Sequence, residues 1–318
     1  MSNRGGVITG WGSAQPDRVV TNADLPVIMN TNDAWIVERT GIRERRWGGT
    51  VAEHATEAGR KAIEMAGLAP TDIDLLVLAT SAPDQIFPGT SAHVQDNLGL
   101  RCGAFDVQAA CSGFVYALTT AHGFLELGLQ RILVVGAEVL SKIFAPDDRA
   151  TGVLFADGAG AVVLEAREVA DDGPGVLATR LHADGAHNGL LYVDGGPSST
   201  GTVGKVRMKG PEVFRHAVVN LAQVLREVLA DQGLTPADID WVVPHQANQR
   251  ILDATARKLG LPPEKVVVTV DRHANTSAAS VPLALDTAIR DGRIKPGDLV
   301  VLEAMGGGFT WGASLVRI

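Results

Sequence analysis

The sequence predicts an α/β protein made of two similar halves, each with a sheet covered by helices. Strand-like and helix-like patterns alternate along the 318 residues, which is typical of parallel sheets flanked by helices. Residues 67–80 and 233–246 resemble each other, since half of their aligned positions are identical and both contain Asp-Ile-Asp after a glycine. Such a duplication predicts five layers, α/β/α/β/α, with halves related by a pseudo-twofold axis. We expect the halves to span residues 1–170 and 171–318.

The same order of elements recurs in each half. A helix ends at a glycine, an Asp-Ile-Asp turn leads into an apolar strand, and a second helix ends at Leu-Gly-Leu. A strand, a helix that opens with small residues, and a buried strand follow. Between these copies, residues 184–211 are rich in Gly, Ser and Pro, which predicts a long loop that borders a pocket or only connects the halves. The predicted segments are helices 53–65 and 212–231, helix ends 98–100 and 259–261, strands 104–107 and 266–270, helix starts 109–113 and 274–280, and strands 131–135 and 299–302.

Composition limits the classes of protein to which the chain can belong. It is 46% hydrophobic and 20% charged, which is enough apolar material for a large core. The net charge of −8 argues against nucleic-acid binding, and no apolar run is long enough to cross a membrane. The first residues contain no hydrophobic signal segment, and two cysteines suggest neither a disulfide framework nor a metal site. We therefore expect a cytoplasmic protein that binds no metal ion, no membrane and no nucleic acid.

Cys111 is a candidate nucleophile because of its place in the pattern. It follows a short apolar segment that ends in small residues, and a stretch with helical apolar periodicity starts at Phe114. This pattern predicts a buried strand that turns sharply into a buried helix, with the thiol in the first helical turn. The free N–H groups and partial positive charge of a helix N-terminus favour thiolate over thiol. The alternative is a small buried core residue, which most free cysteines are.

His245 and Asn275 are the polar residues that the duplication places opposite Cys111. His245 lies just beyond the predicted strand 241–244, and Asn275 lies on the turn equivalent to that of Cys111. A cysteine, a histidine and an asparagine in one pocket would be a nucleophile with two hydrogen-bonding partners. His245 could instead be a structural histidine, and Asn275 a helix N-cap. The glycine run 306–308 is either a tight turn or the source of an oxyanion-hole N–H.

Six segments of the chain carry motifs in a fixed order: 32–43, 105–113, 155–161, 244–248, 271–280 and 306–311. Together they resemble the β-ketoacyl-ACP synthase III family, condensing enzymes of the thiolase superfamily. The resemblance implies a thiolase-like fold with duplicated βαβαβαββ halves. It also implies an acyltransferase reaction: an acyl-CoA primer acylates Cys111, malonyl-ACP loses CO₂, and its carbanion attacks the acyl-cysteine to give a 3-oxoacyl-ACP. The implied enzyme initiates type II fatty-acid synthesis as a homodimer and needs no cofactor.

The resemblance also implies roles for individual residues. His245 and Asn275 would donate hydrogen bonds to the enolate formed by decarboxylation, and the N–H groups of Cys111 and Gly307 would stabilise the tetrahedral intermediate. The remaining implied residues contact CoA, the pantetheine tunnel, the acyl pocket or the acyl carrier protein. They are Thr31, Trp35, Arg39 and Arg149 for CoA, Phe214 and Asn248 for the tunnel, Phe87 (across a dimer interface) and Met305 for the acyl pocket, and Arg215, Arg250, Arg257 and Lys258 for docking of the carrier protein.

Several alternatives stand beside this interpretation. Trp35 could be an ordinary half-buried anchor, and the four basic docking residues could be a solvated helix face. A dinucleotide-dependent oxidoreductase would need a glycine-rich loop that opens a helix, whereas residues 157–161 lead into an apolar strand. A non-catalytic member of the fold would lack Cys111, His245 or Asn275, and all are present. The main alternative is a related synthase of specialised metabolism, with a polyketide or quinolone-type product.

Overall fold

The computed structural model describes residues 3–25, 27–145, 147–170 and 172–318. Residues 1 and 2 of the predicted N-terminal segment, and residue 171 at the predicted start of the second half, lie outside the described residues. The strands are β1 (Asn3–Ala14), β2 (Val19–Thr21), β3 (Glu44–Arg46), β4 (Leu75–Ala79), β5 (Gly103–Val107), β6 (Arg131–Val139), β7 (Asp157–Val169), β8 (Gly175–Ala183), β9 (Leu191–Val193), β10 (Val206–Met208), β11 (Trp241–Pro244), β12 (Leu299–Gly306) and β13 (Thr310–Arg317). The α-helices are α1 (Asp33–Thr40), α2 (Val51–Met65), α3 (Thr90–Leu98), α4 (Gly113–Glu126), α5 (Arg149–Gly152), α6 (Gly210–Ala230), α7 (Gln249–Leu259), α8 (Val270–His273) and α9 (Ser280–Arg290).

Two sheets form the body of the molecule, one in each half. The first has the strand order β1-β7-β6-β4-β5, and the second has the order β8-β13-β12-β11. In the first sheet β4 is parallel to β5 and β6, and β7 is antiparallel to β6 and β1. In the second, β12 is parallel to β11 and antiparallel to β13. The order of one sheet therefore repeats in the other, and the predicted duplication is confirmed in the topology.

Helices on both faces of the two sheets give five layers. α2 packs on the outer face of the first sheet and α6 on that of the second, whereas α4 and α9 lie between the sheets and contact both. The middle of this central layer is apolar: Phe114 and Leu118 of α4 and Val281 and Leu285 of α9 are completely buried. Burial of each such side chain stabilises the fold by about 1.5–3 kcal/mol. The predicted order α/β/α/β/α is confirmed.

The predicted strand 266–270 is wrong for most of its length. Val266 forms only an isolated parallel bridge to Val242, so the second sheet has one regular strand fewer than the first. The side-chain amide of Gln246 makes the hydrogen bonds that a neighbouring strand would otherwise make. Because these backbone groups are satisfied by a side chain, the segment needs no regular strand pairing. The partners of Gln246 are the backbone groups of Val267, Thr269 and Val270.

The predicted loop 184–211 contains regular structure that the sequence did not indicate. A 3-10 helix spans Gly185–Leu190, and β9 and β10 form a short antiparallel pair after it. A backbone hydrogen bond from Val206 to Ile143 fastens the segment to the rest of the chain, and one from Lys209 to Leu190 joins its two ends. Composition alone predicted a loop because Gly, Ser and Pro dominate, whereas long-range partners decide the pairing. Among the described residues, no helix combines the length and the apolar character that crossing a bilayer requires.

Candidate active site

Cys111 lies in a tight turn between strand β5 and helix α4. A single 3-10 turn carries the thiol and leads directly into the helix. Ala110 has a φ of +45°, a conformation that costs a non-glycine residue about 1–2 kcal/mol. The hydroxyls of Ser112 and Thr310 lie 2.7 and 3.0 Å from the carbonyl oxygen of Ala109 and hold this turn in place. The predicted change from strand to helix at the thiol is confirmed.

The protonation of the Cys111 thiol is controlled by its burial, since the residue is only 8% exposed. Burial raises the pKa of Cys111 to about 12; a hydrogen bond with Ser277 lowers that pKa, and the charge of Glu138 raises it. The expectation that the helix N-terminus would favour a thiolate is therefore wrong for the free protein. Taking a charge out of water outweighs the helix dipole in an enclosed turn. The group starts as a neutral thiol, so its proton must leave as the sulfur reacts.

Asn275 lies on the second-half turn that faces Cys111. Its backbone N–H donates to Leu154 O, and its carbonyl oxygen accepts from Ala156 N, both at 2.9 Å. Its side-chain Oδ1 accepts from the backbone N–H of Ser277 at 2.9 Å. The helix N-cap alternative is wrong, since Thr276 is the N-cap of the following 3-10 turn and Ala279 is that of α9. The bond to Ser277 fixes the amide plane and leaves Nδ2 as the donor that a ligand can use.

Two glycines allow the two turns to approach each other. A Cβ on Gly136 of β6 would lie 2.3 Å from Ala278 O, in the second-half turn. A Cβ on Gly306, at the end of β12, would lie 2.5 Å from the backbone nitrogen of Cys111. Both distances are far below van der Waals contact, so any larger residue would push one turn away from its sheet. Ser277, in the second-half turn, is a hydrogen-bond partner of the Cys111 thiol and lowers its pKa.

His245 follows β11, and its imidazole is held by Ser280 at the start of α9. The distance from Nδ1 to Ser280 Oγ is 2.5 Å. The backbone N–H of Gln246 also donates to this Oγ, at 3.4 Å, so the serine hydrogen is free for donation to Nδ1. With Ser280 as the donor, the ring proton lies on Nε2. Burial lowers the pKa of His245 to about 3, and the ring is therefore a neutral donor at physiological pH.

The structure brings together residues that the sequence analysis did not single out. Ser277 contacts Cys111, Ser280 contacts His245, and the fully buried Glu138 of β6 accepts a hydrogen bond from Ser277. The run Asn-Thr-Ser-Ala-Ala-Ser carried no signal that separated these serines from ordinary turn residues. A carboxyl within the apolar strand β6 was a detectable signal for Glu138, because an unpaired buried charge is costly.

The glycine run after β12 lies against the nucleophile turn, as expected. Gly306 makes the closest approach to Cys111, and Gly307 follows it. A Cβ on Gly307 would lie 2.6 Å from Leu191 O, so the segment containing β9 closes over this side of the site. The part of the predicted loop near Leu191 therefore borders the site instead of only connecting the halves.

Two arginines lie close to the ring of Trp35, which is partly exposed. The guanidinium carbons of Arg39 and Arg149 are 4.7 and 4.9 Å from the centre of its ring. Arg149 Nη1 also donates to Asn30 O at 3.2 Å, which fixes this arginine beside α1. Thr31 Oγ1 is buried and has no hydrogen-bond partner among the described residues. The predicted CoA contacts are thus gathered in one place, with a planar aromatic ring, two cations and an unpaired hydroxyl.

Phe214 and Asn248 stand at the ends of neighbouring helices, with Arg250 between them. The Arg250 guanidinium lies 5.9 Å from the centre of the Phe214 ring. Asn248 Oδ1 accepts from Arg250 N at 2.8 Å and caps α7. This bond orients the amide nitrogen of Asn248 and gives the residue a structural role, whereas its place in a pantetheine tunnel stays a prediction.

The two residues expected in the acyl pocket have very different surroundings. Phe87 is 83% exposed, and its neighbour Ile86 is 72% exposed. Met305 of β12 is buried beside Leu221 and Phe309. Its sulfur accepts a hydrogen bond from Asn220 Nδ2 at 3.8 Å. Met305 is therefore enclosed by side chains of this chain, whereas Phe87 is exposed, and the acyl pocket stays a prediction for both.

The four basic residues predicted to dock a carrier protein are exposed on two adjacent helices. Arg215 is on α6, and the other three are on α7. Arg250 opens α7, and Arg257 and Lys258 lie in its last turn. At 1.5 Å per residue they extend over roughly 10–12 Å of the helix. Within the described ranges, no group of three His, Cys, Asp or Glu side chains is arranged to hold a metal ion.

The chain is similar to known proteins both in sequence and in structure. The family model described as 3-oxoacyl-[acyl-carrier-protein (ACP)] synthase III matches residues 105–185, and the one for the C terminal of this synthase matches 229–318. A protein of Erythrobacter litoralis named beta-ketoacyl-[acyl-carrier-protein] synthase III is 67% identical over 98% of each chain. The 3-oxoacyl-[acyl-carrier-protein] synthase III structure from Aquifex aeolicus VF5 is 46% identical, covers 99% of this chain and 100% of its own, and has a TM-score of 0.93. The priming beta-ketosynthase of the R1128 polyketide pathway is 34% identical, covers 99% of this chain and 97% of its own, and has a TM-score of 0.92.

Proposed function

The chain belongs to the 3-oxoacyl-[acyl-carrier-protein] synthase III family, and from this premise we propose that Cys111, His245 and Asn275 perform its chemistry. It is an acyltransferase of the condensing type that initiates fatty-acid synthesis. An acyl-CoA primer is joined to malonyl-ACP through an acyl-cysteine, giving 3-oxoacyl-ACP, CoA and CO₂. The turn 275–280 supports this assignment, since Ser277 is a hydrogen-bond partner of the thiol and Ser280 is that of the imidazole.

The first step transfers the acyl group to Cys111. The S–H bond breaks, sulfur attacks the thioester carbonyl, and CoA leaves with its own sulfur. The tetrahedral intermediate carries a negative oxygen, and the N–H groups of Cys111 and Gly307 are the donors that we assign to it. One such donor typically contributes about 3 kcal/mol. The close approach of Gly306 supports this assignment, because it holds the glycine run against the nucleophile.

The second step forms the carbon–carbon bond. As malonyl-ACP loses CO₂, its thioester oxygen becomes an enolate, and His245 Nε2–H and Asn275 Nδ2–H stabilise that charge. Both are neutral donors, and the low pKa of His245, about 3, keeps it so across the physiological range. The carbanion then attacks the acyl-cysteine carbonyl, and Cys111 leaves as a thiolate that must regain a proton.

The surface cluster around Trp35 supports the proposed CoA site. An adenine ring can stack on the indole, and Arg39 and Arg149 supply positive charge beside it for phosphate groups. The unpaired Thr31 hydroxyl is a further polar contact for the ligand. Phe214 and Asn248 then line the path by which the pantetheine arm reaches Cys111.

The enzyme acts on acyl carrier protein substrates, and we assign the docking surface to Arg215, Arg250, Arg257 and Lys258. A carrier protein rich in acidic residues fits this exposed basic group, although the chain as a whole has a net charge of −8. We further propose a cytoplasmic homodimer that requires no added cofactor. The exposure of Phe87 and Ile86 supports a second copy on that face, since two adjacent large apolar side chains rarely remain in water.

A synthase of specialised metabolism is the less well supported alternative. The polyketide-priming ketosynthase shares 34% of its residues with this chain, whereas the relative named for fatty-acid initiation shares 67%. The geometry of the site does not separate the two functions, because both use an acyl-cysteine. The identity of the second substrate does, since fatty-acid initiation uses malonyl-ACP.

Intact-mass spectrometry tests the proposed function directly. The protein is incubated with a panel of acyl-CoAs, and a mass increase equal to the acyl group is expected for the wild type. Cys111→Ala should show none, whereas Cys102→Ser, which removes the other free thiol, should acylate normally. Malonyl-ACP should then discharge the adduct, and His245→Ala should acylate but discharge about 10²–10³-fold more slowly. Acylation of Cys111→Ala, or discharge by malonyl-CoA but not by malonyl-ACP, would contradict the proposal.

A further inference from the structure

Glu138 is a buried carboxyl beside the nucleophile that the steps above do not use. It lies near the end of β6, is completely buried, and acts electrostatically on Cys111. Burial raises the pKa of Glu138 to about 7, so near neutral pH the carboxyl exists in both charged and neutral forms. Groups with such properties are suited to accept and return protons.

The Glu138 carboxyl is held in one orientation from two sides. On one side, in the loop after β4, Thr80 Oγ1 donates to it at 3.3 Å, and the N–H groups of Ser81 and Ala82 donate at 3.1 and 3.2 Å. On the other side, Ser277 Oγ donates to Oε1 at 3.1 Å. These bonds partly offset the desolvation of the charged form, and they fix Oε1 toward the second-half turn.

Ser277 connects this carboxyl to the thiol. A hydroxyl group has a single hydrogen and accepts through its lone pairs. That hydrogen is directed to Glu138 at 3.1 Å. The hydrogen bond between Ser277 and Cys111 lowers the pKa of the thiol, as expected of a hydroxyl that stabilises the thiolate. Ser277 therefore links the two groups, because its oxygen can take the thiol proton while its own hydrogen passes to Oε1.

The other polar groups of the site are poor acceptors for the thiol proton. His245 Nδ1 already accepts from Ser280, and its Nε2 carries the ring proton. The Asn275 amide is not a base at any relevant pH. Glu303, the buried carboxyl of β12, lines a separate apolar cavity with Leu221 and Val266.

We propose that Glu138 accepts the proton of the Cys111 thiol through the Ser277 hydroxyl during acylation. The thiol hydrogen moves to Ser277 Oγ while the hydrogen of Ser277 moves to Glu138 Oε1. The S–H electron pair stays on sulfur and forms the new bond to the acyl carbon. CoA leaves as a thiolate and takes its proton from water. The inference rests on the proposed role of Cys111. In it Glu138 and Ser277 act as positioning residues, because they hold and return the thiol proton without touching the substrate.

The same path runs backwards in the condensation step. When the carbanion attacks, Cys111 leaves as a thiolate, Ser277 donates its hydrogen to sulfur, and Glu138 returns its proton to Ser277. The enzyme is then restored, and one proton from water has been consumed for each CoA released. This balance matches the overall reaction, in which malonyl-ACP loses its carboxylate as CO₂.

The titratable groups around Glu138 define the pH dependence that the relay predicts. Cys111 faces it from the nucleophile turn. Asp157 of β7 accepts hydrogen bonds from Ser141 and Gly48 and is not bonded to Glu138. His54 of α2 forms its hydrogen bond with Gly48 O. The acylation rate should therefore follow one group, falling as the pH drops through the pKa of Glu138, near 7.

The test compares the rate of Cys111 acylation in rapid-quench mass spectrometry from pH 5 to pH 9. Glu138→Gln, which keeps the shape but cannot take a proton, should acylate at least about 10²-fold more slowly and lose the pH dependence. Ser277→Ala, which keeps the backbone bond to Asn275, should show the same loss. Glu138→Asp should retain the pH dependence with a partly restored rate. The final extent of acylation at Cys111 should be unchanged throughout.

Glu303→Gln is the matched control, because it replaces a buried carboxyl that lines a separate cavity. Wild-type rates and pH dependence in Ser277→Ala, or an equal loss in Glu303→Gln, would overturn the relay. If Glu138→Gln does not fold, as judged by thermal melting, Ser277→Ala and Glu138→Asp decide the question. Failure of the relay leaves acyl mass on Cys111, whereas failure of the proposed function leaves no acyl mass, so the two failures are distinguishable.

Discussion

The ends of β6 and β12 occupy equivalent positions in the two halves but present opposite residues to the site. Ile132 of β6 and Val300 of β12 pair with equivalent residues of β4 and β11. Glu138 and Gly306 each lie six positions further along these two strands. The first strand ends in a carboxyl that reaches the turn of the second half. The second strand ends in a glycine whose backbone lies against the turn of the first half.

This difference shows how a duplicated fold can divide one reaction between its copies. Each strand end meets the turn of the other half, so the symmetry creates two similar junctions. At one junction a charged side chain faces Ser277, next to the thiol. At the other the absence of a side chain lets Cys111 come close to the donors of the glycine run. The two junctions are therefore alike in backbone and different in chemistry.

The largest effect is expected for Asn275→Ala, which removes the donor that the second-half turn presents. Loss of Nδ2 should slow discharge of the acyl-enzyme by malonyl-ACP about 10²–10³-fold, because the enolate loses a fixed hydrogen bond. Loss of the bond that Oδ1 accepts from Ser277 N should also lower the free energy of unfolding by about 1 kcal/mol. Rapid-quench mass spectrometry and urea unfolding measure these effects. An equal loss in acylation and discharge would show that the turns do not divide the steps.

Gly306→Ala tests the junction that depends on a missing side chain. The new Cβ would lie 2.5 Å from the Cys111 nitrogen, so the turn must move. We expect a loss of about 1–3 kcal/mol in the free energy of unfolding and acylation slowed by roughly 10²-fold. Gly123→Ala on α4 is the matched control, because its Cβ meets nothing within 4 Å and alanine favours a helix. Normal acylation by Gly306→Ala would contradict the proposed close approach.

Glu303→Gln tests how the second buried carboxyl, in contrast to Glu138, affects the free energy of unfolding. Burial raises the pKa of Glu303 to about 8, above that of the unfolded chain, and its Oε2 has no partner among the described residues. The folded state thus binds this proton more tightly, and its stabilisation is complete below about pH 4.5 and is lost as the pH rises to about 8. Urea unfolding at pH 6 and pH 9 should show Glu303→Gln losing less stability than the wild type, by a few kcal/mol. Parallel losses in both proteins would rule out this contribution.

The smallest effect is expected for Ser280→Ala, which frees His245 Nδ1. Without the serine hydrogen the ring proton can move to Nδ1, and only the fraction with Nε2–H can donate to the enolate. A loss of about 1 kcal/mol, or a five- to tenfold slower discharge, is expected. Acylation should be unaffected, which separates this variant from Ser277→Ala. A discharge rate equal to that of the wild type would show that another group fixes the ring.

Local sequence patterns predicted most of the frame of the site. The helices 53–65 and 212–231 differ from the observed bounds by one or two residues, because their apolar periodicity and glycine ends are properties of the segment itself. The position of Cys111 between a strand and a helix could be predicted for the same reason. The segment 266–270 could not, since its backbone partners belong to the side chain of Gln246.

The sequence by itself determined the repeated order of elements, the nucleophile turn and the choice of His245 and Asn275, since each depends on patterns within a short segment or on the repeat. Tertiary structure alone decided the protonation of these groups. Burial keeps Cys111 a thiol and His245 neutral, against the effect expected from the helix N-terminus. The fold also brings Ser277 within hydrogen-bonding distance of Glu138, 139 residues away along the chain. Desolvation and hydrogen bonding act between neighbours in space, and no segment contains that information.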